Sequence, residues 1–362
     1  MKLVVFGLSV SSSWGNGHAT LWRGLIGALA AQGHRVVFFE RDAPWYAQHR
    51  DIAPEVPGLD LVIYRDWREA LPLARAHLAD ADVGMVTSYC HDGVAATHEV
   101  LASRARRAFY DLDAPVTLER VRAGVRVPWL GADGLRGFDI VLSYAGGATL
   151  DGLRRLLGAR RAAPLYGSVD PAVHAPAPPR EHLRADLSYL GTYAADRQAA
   201  LDALLLACAR RRPEQRFLIG GSQYPPDFPW GPNVHYVRHV PPADHGAFYS
   251  SSRLTLSVTR GPMAAVGWCP SGRLFEAAAC GAAVLTDAWP GLEVFFRPGE
   301  EVLVARTTDE ALAALDTPAH VLRRIGCAAR ERALRDHTAA ARARELVDLL
   351  GAARDGRRGE AA

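Results

Sequence analysis

Residues Pro270–Asp287 read PSGRLFEAAACGAAVLTD. Pro270 and Ser271 open a helix, and Ser271 is a residue type able to cap it. Arg273 falls in the first turn and Glu276 one turn on, with apolar residues on either side. Ala277, Ala278 and Ala279 let the helix lie close to its neighbours, Gly281 stops it, and Ala283–Thr286 has the composition of a buried strand. A helix N-terminus attracts anions. A lone carboxylate one turn further in can accept hydrogen bonds from two vicinal hydroxyls of a ribose. The plain alternative is a relative of the capping box with Glu276 in solvent.

Working outward from this stretch, short apolar runs alternate with helical spacing along the whole chain. In the first half the strands expected are Leu3–Phe6, Arg35–Glu40, Leu61–Tyr64, Val83–Ser88, Arg107–Tyr110 and Ile140–Ser143, with helices over Ala19–Gln32, Trp67–Ala79 and Gly93–Ser103. The second half repeats the alternation: strands Leu187–Leu190, Arg216–Gly220, Val234–Val237, Leu254–Val258, Ala283–Thr286 and Val302–Ala305, with helices over Asp196–Arg211, Asp244–Ser250 and Gly272–Ala279. Apolar strands that do not alternate with polar residues mark parallel sheets covered on both faces. The chain therefore reads as α/β, with a first doubly wound domain over 1–168, a Pro-rich linker over 169–180 (VDPAVHAPAPPR), a second domain over 181–350 and a flexible polar tail over 351–362. The last helix is a candidate to pack back on the first domain. Ligands of such sheets sit at the carboxyl ends of the strands, so the cleft between domains is the expected site.

The 362 residues are 49% apolar, enough for two cores, and the formal charge is +3. Lys2 is the only lysine. A Walker loop and Schiff-base chemistry are thereby excluded, and any anionic ligand falls to Arg, backbone N–H groups and helix N-termini. The Arg- and Ala-rich composition makes the sequence pI of 8.6 a poor argument for nucleic acid. Five scattered cysteines without a C-x-x-C pair suit free thiols in a reducing compartment. MKLVVFGLSVSSSW reads as a first strand rather than a signal peptide, and no apolar run reaches membrane-spanning length. A cytoplasmic location is expected.

Several loops fall at strand ends. GLSVSSSWGNGHAT, Gly7–Thr20, contains Gly15, Asn16 and Gly17 before His18 at a helix start. It is too long for a nicotinamide-binding G-x-G-x-x-G, although Glu40, ending the second strand, stands where a dehydrogenase places its ribose acid. TSYCHDG brings Tyr89, His91 and Asp92 to the fourth strand end, and FYDLDAP brings Asp111 and Asp113 to the fifth. D-x-D spacing is compatible with a metal, and equally with a helix cap. In the second half, Gly191 and Thr192, then Arg197, Gly220 and Gly221, and Arg260 line one sheet edge with glycines, hydroxyls and arginines, as a diphosphate requires when no lysine is present.

PSGRLFEAAACGAAVLTD resembles the donor-nucleotide helix of GT-B glycosyltransferases, written E-A-M-A-C-G-x-P-V-V, and GSVDPAVHAP resembles their interdomain G-V-D-x-x-x-F-x-P. FYDLDAPVTL, SYAGGATL and PSGRLFEAAACG together look most like the CgeB-like branch, named for a bacterial spore-maturation protein. The resemblance covers nearly the whole chain. It implies a GT-B fold, two Rossmann-like domains facing across a cleft, with a nucleoside-diphosphate-sugar donor in the second and the acceptor in the first. It also implies no obligatory metal. Carried over, Glu276 would hold the donor ribose and Arg197, Arg260 and Arg273 the diphosphate, with Ser271, Gly191, Thr192, Gly220 and Gly221 beside them. Gly15, Asn16 and Gly17 would face the donor from the other side, and Tyr89 and Asp111 would meet the acceptor. Many retaining members carry a second Glu eight residues before the ribose Glu; here Trp268 stands there.

The expected activity is transfer of a hexose-type sugar to an unidentified acceptor (glycan, lipid-linked or natural-product), without metal, with retention and without nucleic acid. An inverting enzyme would need a base for the acceptor hydroxyl, and His18, His91, Asp92 and Asp113 are the candidates. A nucleotide-sugar epimerase, a non-catalytic sugar- or nucleotide-binding protein and a dehydrogenase stay open as alternatives.

Overall fold

The structure, a computed structural model, describes residues 1–359. It divides into two compact units, Met1–Tyr166 with the segment from Ala339 onward, and Gly167–Thr338.

Unit 1 runs β1 (Lys2–Gly7), α1 (Gly17–Ala31), β2 (Arg35–Arg41), α2 (Pro44–Ala47), β3 (Leu59–Tyr64), α3 (Trp67–Ala79), β4 (Val83–Thr87), α4 (Gly93–Ala102), β5 (Arg106–Asp111), α5 (Ala114–Arg122), β6 (Ile140–Ser143), α6 (Ala148–Leu157) and β7 (Ala162–Pro164). The sheet is wholly parallel in the order β3-β2-β1-β4-β5-β6-β7. Successive side chains of a strand feed opposite faces. Val4 and Phe6 join Val37 and Phe39 under α3, α4 and α6, while Leu3 and Val5 join Val36 and Phe38 under α1. That double cover is why the strands read as continuous apolar runs.

Unit 2 continues with β8 (Ala185–Leu190), α7 (Gln198–Leu201), α8 (Ala207–Arg211), β9 (Phe217–Gly220), β10 (Val234–Val237), α9 (Pro242–Ser250), β11 (Ser252–Ser257), α10 (Gly261–Val266), α11 (Gly272–Ala279), β12 (Val284–Asp287), α12 (Leu292–Phe295), β13 (Leu303–Ala305), α13 (Thr308–Leu315) and α14 (Ala319–Asp336). Its sheet is also wholly parallel, in the order β10-β9-β8-β11-β12-β13. The helix expected over Asp196–Arg211 is interrupted: a 3₁₀ turn precedes α7, and a π turn over Asp202–Leu206 joins α7 to α8. Residues 169–180, expected as a linker, lie within unit 2: His174 is buried, Ala177 N donates to Ser250 Oγ, and Arg180 N donates to Ser251 Oγ.

The last helix, α15 (Ala339–Gly359), belongs to unit 1. Ala343, Leu346 and Leu350 pack into the apolar layer formed by Leu3, Val5, Trp22 and Leu25. Residues 351–359 of the expected flexible tail continue this helix, and 360–362 lie outside the described residues. Among the described residues no helix is long and apolar enough to cross a membrane.

Candidate functional site

In each unit the strand order reverses beside one strand. After β8 the chain adds β9 and β10 on one side, then crosses to add β11 on the other. The carboxyl ends of β8 and β11 flank that switch point, where open α/β sheets bind ligands. β8 ends at Leu190, and Gly191 makes the turn. Arg273, in the first turn of α11, reaches over it: Nη1 donates to Leu190 O at 2.8 Å and to the Tyr189 hydroxyl at 3.2 Å. A Cβ at Gly191 would run into that guanidinium and the Tyr189 ring, so only glycine fits beneath it. Gly221, at φ +149°, closes onto the same turn, where Gly191 N donates to Gly220 O at 2.8 Å.

Two further arginines surround this turn. Arg197 Nη1 donates to Thr192 O at 3.1 Å, and Arg260 Nε pairs with Asp196 at 2.8 Å. Burial, with Arg273 and Arg260 nearby, lowers the Arg197 pKa. Burial opposes ionisation of Tyr189, yet Arg273 and Arg197 beside it hold its phenol below the ordinary value. Three guanidinium groups gathered around one turn favour negative charge there. Ser271 occupies the N-cap position of α11, but its side chain makes no capping bond; the expected cap is replaced by acceptance of a hydrogen bond from Arg273 Nε at 3.2 Å. Ser271 thus steadies the arginine rather than the helix end.

Glu276 lies one turn along α11 and is 9% exposed, so the solvated alternative does not hold. Its Oε2 is 3.7 Å from His245 Nδ1 on α9, and its Oε1 is 4.0 Å from His174 Nε2. The two imidazoles meet at 3.1 Å, and His245 Nε2 lies 3.2 Å from Val240 O. A carbonyl only accepts, so His245 carries its proton on Nε2 and presents Nδ1 as an acceptor. Burial holds both imidazoles down at about 4. They are therefore neutral at physiological pH.

In unit 1 the corresponding switch point lies between β1 and β4. Asn16 caps α1, its side chain accepting from His18 N at 3.1 Å; Gly15 and Gly17 are exposed beside it. The His18 ring lies 5.7 Å from that of Tyr89, which in turn packs 4.3 Å from Trp129. Tyr89 holds φ +65°, a left-handed conformation uncommon for a bulky residue and often met at functional sites. His91 is exposed, while Asp92 accepts from Tyr64 OH at 3.0 Å and pairs with Arg41 at 3.3 Å. Asp111 is fully buried and accepts from Asp113 N at 3.1 Å; burial pushes its carboxyl up to about 7. Asp111 and Asp113 do not form a ligand group. Among the described residues the one cluster with metal-ligating geometry is His174, His245 and Glu276.

Glu40 argues against the dehydrogenase alternative. It is fully buried and accepts from Ser9 Oγ (2.9 Å), Val10 N (2.8 Å), Ser11 N (2.9 Å) and Ser11 Oγ (2.5 Å). Four donors use the capacity of one carboxylate. Glu40 shapes the Ser9–Ser12 loop and has nothing left for a ribose.

Three contributors escaped the sequence reading: His174, His245 and Tyr224, whose hydroxyl donates to Gly191 O at 3.0 Å. His174 was accessible in principle, since it occupies the Phe position of the G-V-D-x-x-x-F-x-P pattern. His245 and Tyr224 carry no local signal.

Comparison with known proteins bears on the fold and the second half of the chain. Residues 197–348 match the family model described as glycosyl transferase-like. No curated protein matches the chain. Among solved structures, a sucrose-phosphate synthase from Thermosynechococcus elongatus superposes with a TM-score of 0.72 at 16% identity, over 96% of this chain and 98% of that one. HepE of Anabaena, solved with UDP-glucose, gives 0.68 at 12% identity, over 97% and 100%. An alpha-glucosyltransferase solved with UDP and a 13-mer DNA gives 0.69 at 11% identity, over 97% and 99%. With its two parallel, Rossmann-like sheets, the chain has the GT-B glycosyltransferase fold, and residues 197–348 match a glycosyl transferase-like family.

Proposed function

We propose that this protein transfers a hexose-type sugar from a nucleoside-diphosphate sugar to an acceptor hydroxyl, in the cytoplasm, as a member of the CgeB-like branch. The observation that carries the reading is the arrangement at α11. Arg273 is locked over the Gly191 turn, with Arg197 and Arg260 close by, and a buried Glu276 follows one turn later. The arginines and the helix N-terminus take the diphosphate, and Glu276 takes the ribose hydroxyls. UDP is the first base to test, because HepE and the alpha-glucosyltransferase were solved with it.

The chemistry breaks the bond between the anomeric carbon and the diphosphate oxygen, and charge builds on the leaving group. Fixed donors aimed at that oxygen contribute about 3 kcal/mol each to lowering the barrier. Unit 1 receives the acceptor. His18, beside the strained Tyr89 at the β1/β4 switch point, is the best placed of His18, His91, Asp92 and Asp113 to handle the acceptor proton. Asp92 is already held by Arg41 and Tyr64. Retention, in which a phosphate oxygen of the leaving group takes that proton, needs no protein base. Trp268 at the position of the first Glu of the E-x7-E pair leaves sugar positioning to other groups. Metal is not required, so chelator leaves transfer intact.

The test is a thermal-shift screen of the purified chain against UDP, GDP, dTDP and their sugars, followed by incubation with the best donor. One diphosphate raises the melting temperature of the wild type and not of Arg273→Ala. A new sugar nucleotide formed from donor alone would instead mark an epimerase, and no shift with any diphosphate refutes the donor site.

A further inference from the structure

We infer that His174, His245 and Glu276 form a binding site for a zinc-class divalent cation, which withholds Glu276 from the donor. The inference rests on the donor reading only for its second clause. The three ligand atoms, one from each residue, lie within 4.8 Å of one another; the two imidazole nitrogens are 3.1 Å apart, and Glu276 brings Oε2 to 3.7 Å from His245 Nδ1 and Oε1 to 4.0 Å from His174 Nε2. Ligands at tetrahedral zinc distances stand about 3.3 Å apart. Closing the three groups onto an ion therefore needs the Glu276 carboxylate to rotate and approach by about an ångström.

Two imidazoles and one carboxylate are a donor set that zinc, cobalt and nickel accept, while magnesium and calcium prefer oxygen ligands alone. The outer contacts suit metal as well. Val240 O fixes the proton of His245 on Nε2 and leaves Nδ1 free to ligate, as a carbonyl commonly does for a metal-bound histidine. Without metal, His174 Nε2 donates to His245 Nδ1, so ligation requires the His174 proton to sit on Nδ1 instead. The site is reachable: the side chains of Glu276 and His245 are 11% and 12% exposed, while His174 forms the floor at 1%. Three protein ligands leave a tetrahedral ion one position for solvent. A carboxylate oxygen committed to the ion is no longer available to two ribose hydroxyls, so cation and nucleoside diphosphate bind antagonistically.

The experiment titrates chelator-treated full-length protein with Co²⁺, reading visible absorption, and with Zn²⁺ against a chromophoric chelator. The expected result is one equivalent with the intense bands of four-coordinate cobalt. His174→Phe and His245→Gln should each weaken binding by more than the roughly 10- to 100-fold that loss of an outer contact costs. Melting curves of both variants, and the retained far-ultraviolet circular dichroism of Glu276→Gln as a third variant, show that weakened binding is not unfolding. Absence of four-coordinate cobalt bands, or affinity unchanged in all three variants, overturns the site. Zinc should raise the apparent Kd for the nucleoside diphosphate found in the thermal screen; an unchanged Kd in zinc-loaded protein overturns the antagonism. Should no nucleoside diphosphate bind at all, the donor reading fails while the cobalt spectrum still decides the metal site.

Discussion

Substituting Glu276→Gln separates a ligand-binding carboxylate from a structural one. The side chain is 9% exposed, and its nearest partners, His245 Nδ1 and His174 Nε2, stand at 3.7 and 4.0 Å, beyond hydrogen-bonding distance. Glutamine has the same shape, so the fold loses no hydrogen bond and should change by less than about 0.5 kcal/mol. For a unit of this size that is a melting shift within about 2 °C. Binding should behave differently. Two ribose hydroxyls donating to a carboxylate make charge-assisted bonds worth about 1.5–3 kcal/mol each, against about 0.5–1.5 kcal/mol for neutral acceptors. The difference, summed over two bonds, is about 2–3 kcal/mol, or roughly a 30- to 150-fold rise in Kd. Isothermal titration with the nucleoside diphosphate measures this without knowledge of the acceptor. The comparison control is the 2′,3′-dideoxy nucleotide, which lacks the hydroxyls and should bind wild type and variant alike. A Kd within threefold of wild type in a well-folded variant would refute the assignment. So would an equal loss of affinity for the dideoxy compound.

Two other expectations concern unit 1. Glu40→Gln replaces one acceptor oxygen with a donor facing backbone N–H groups or serine hydroxyls, and should lower stability by about 2–4 kcal/mol in denaturant melts; wild-type protein should give no fluorescence change on titration with NADH. Asp111→Asn tests a buried acid raised to about 7. Between the unfolded value near 3.8 and about 7, the folded state holds a proton that the unfolded state has lost, so stability falls as pH rises through this window. The slope is at most about 1.4 kcal/mol per pH unit. The asparagine variant should flatten it and exceed wild type in stability at pH 8, as denaturant melts from pH 4 to 8 would reveal; an unchanged slope refutes the raised pKa.

All the expected strands, both parallel sheets and the helix Gly272–Ala279 were legible because each depends on neighbours in the chain; the three-residue β7 (Ala162–Pro164) was too short to announce itself. An apolar run of Leu3–Phe6 or Leu187–Leu190 reports a strand buried on two faces, and the small residues after Glu276 report a helix packed closely. Lysine scarcity by itself left anion binding to arginine. What the sequence could not determine is which polar groups meet. Glu40 looked like a ribose acid until the Ser9–Ser12 loop folded back and filled its lone pairs. Ser271 looked like a cap until Arg273 claimed its oxygen. His174 sat in what read as a linker, 71 residues from His245, and only the packing of that stretch against α9 brings both to Glu276. Periodicity records how each residue divides between core and solvent. Hydrogen-bond partnership depends on contacts between distant segments, which no local pattern encodes, and is therefore settled by the tertiary fold.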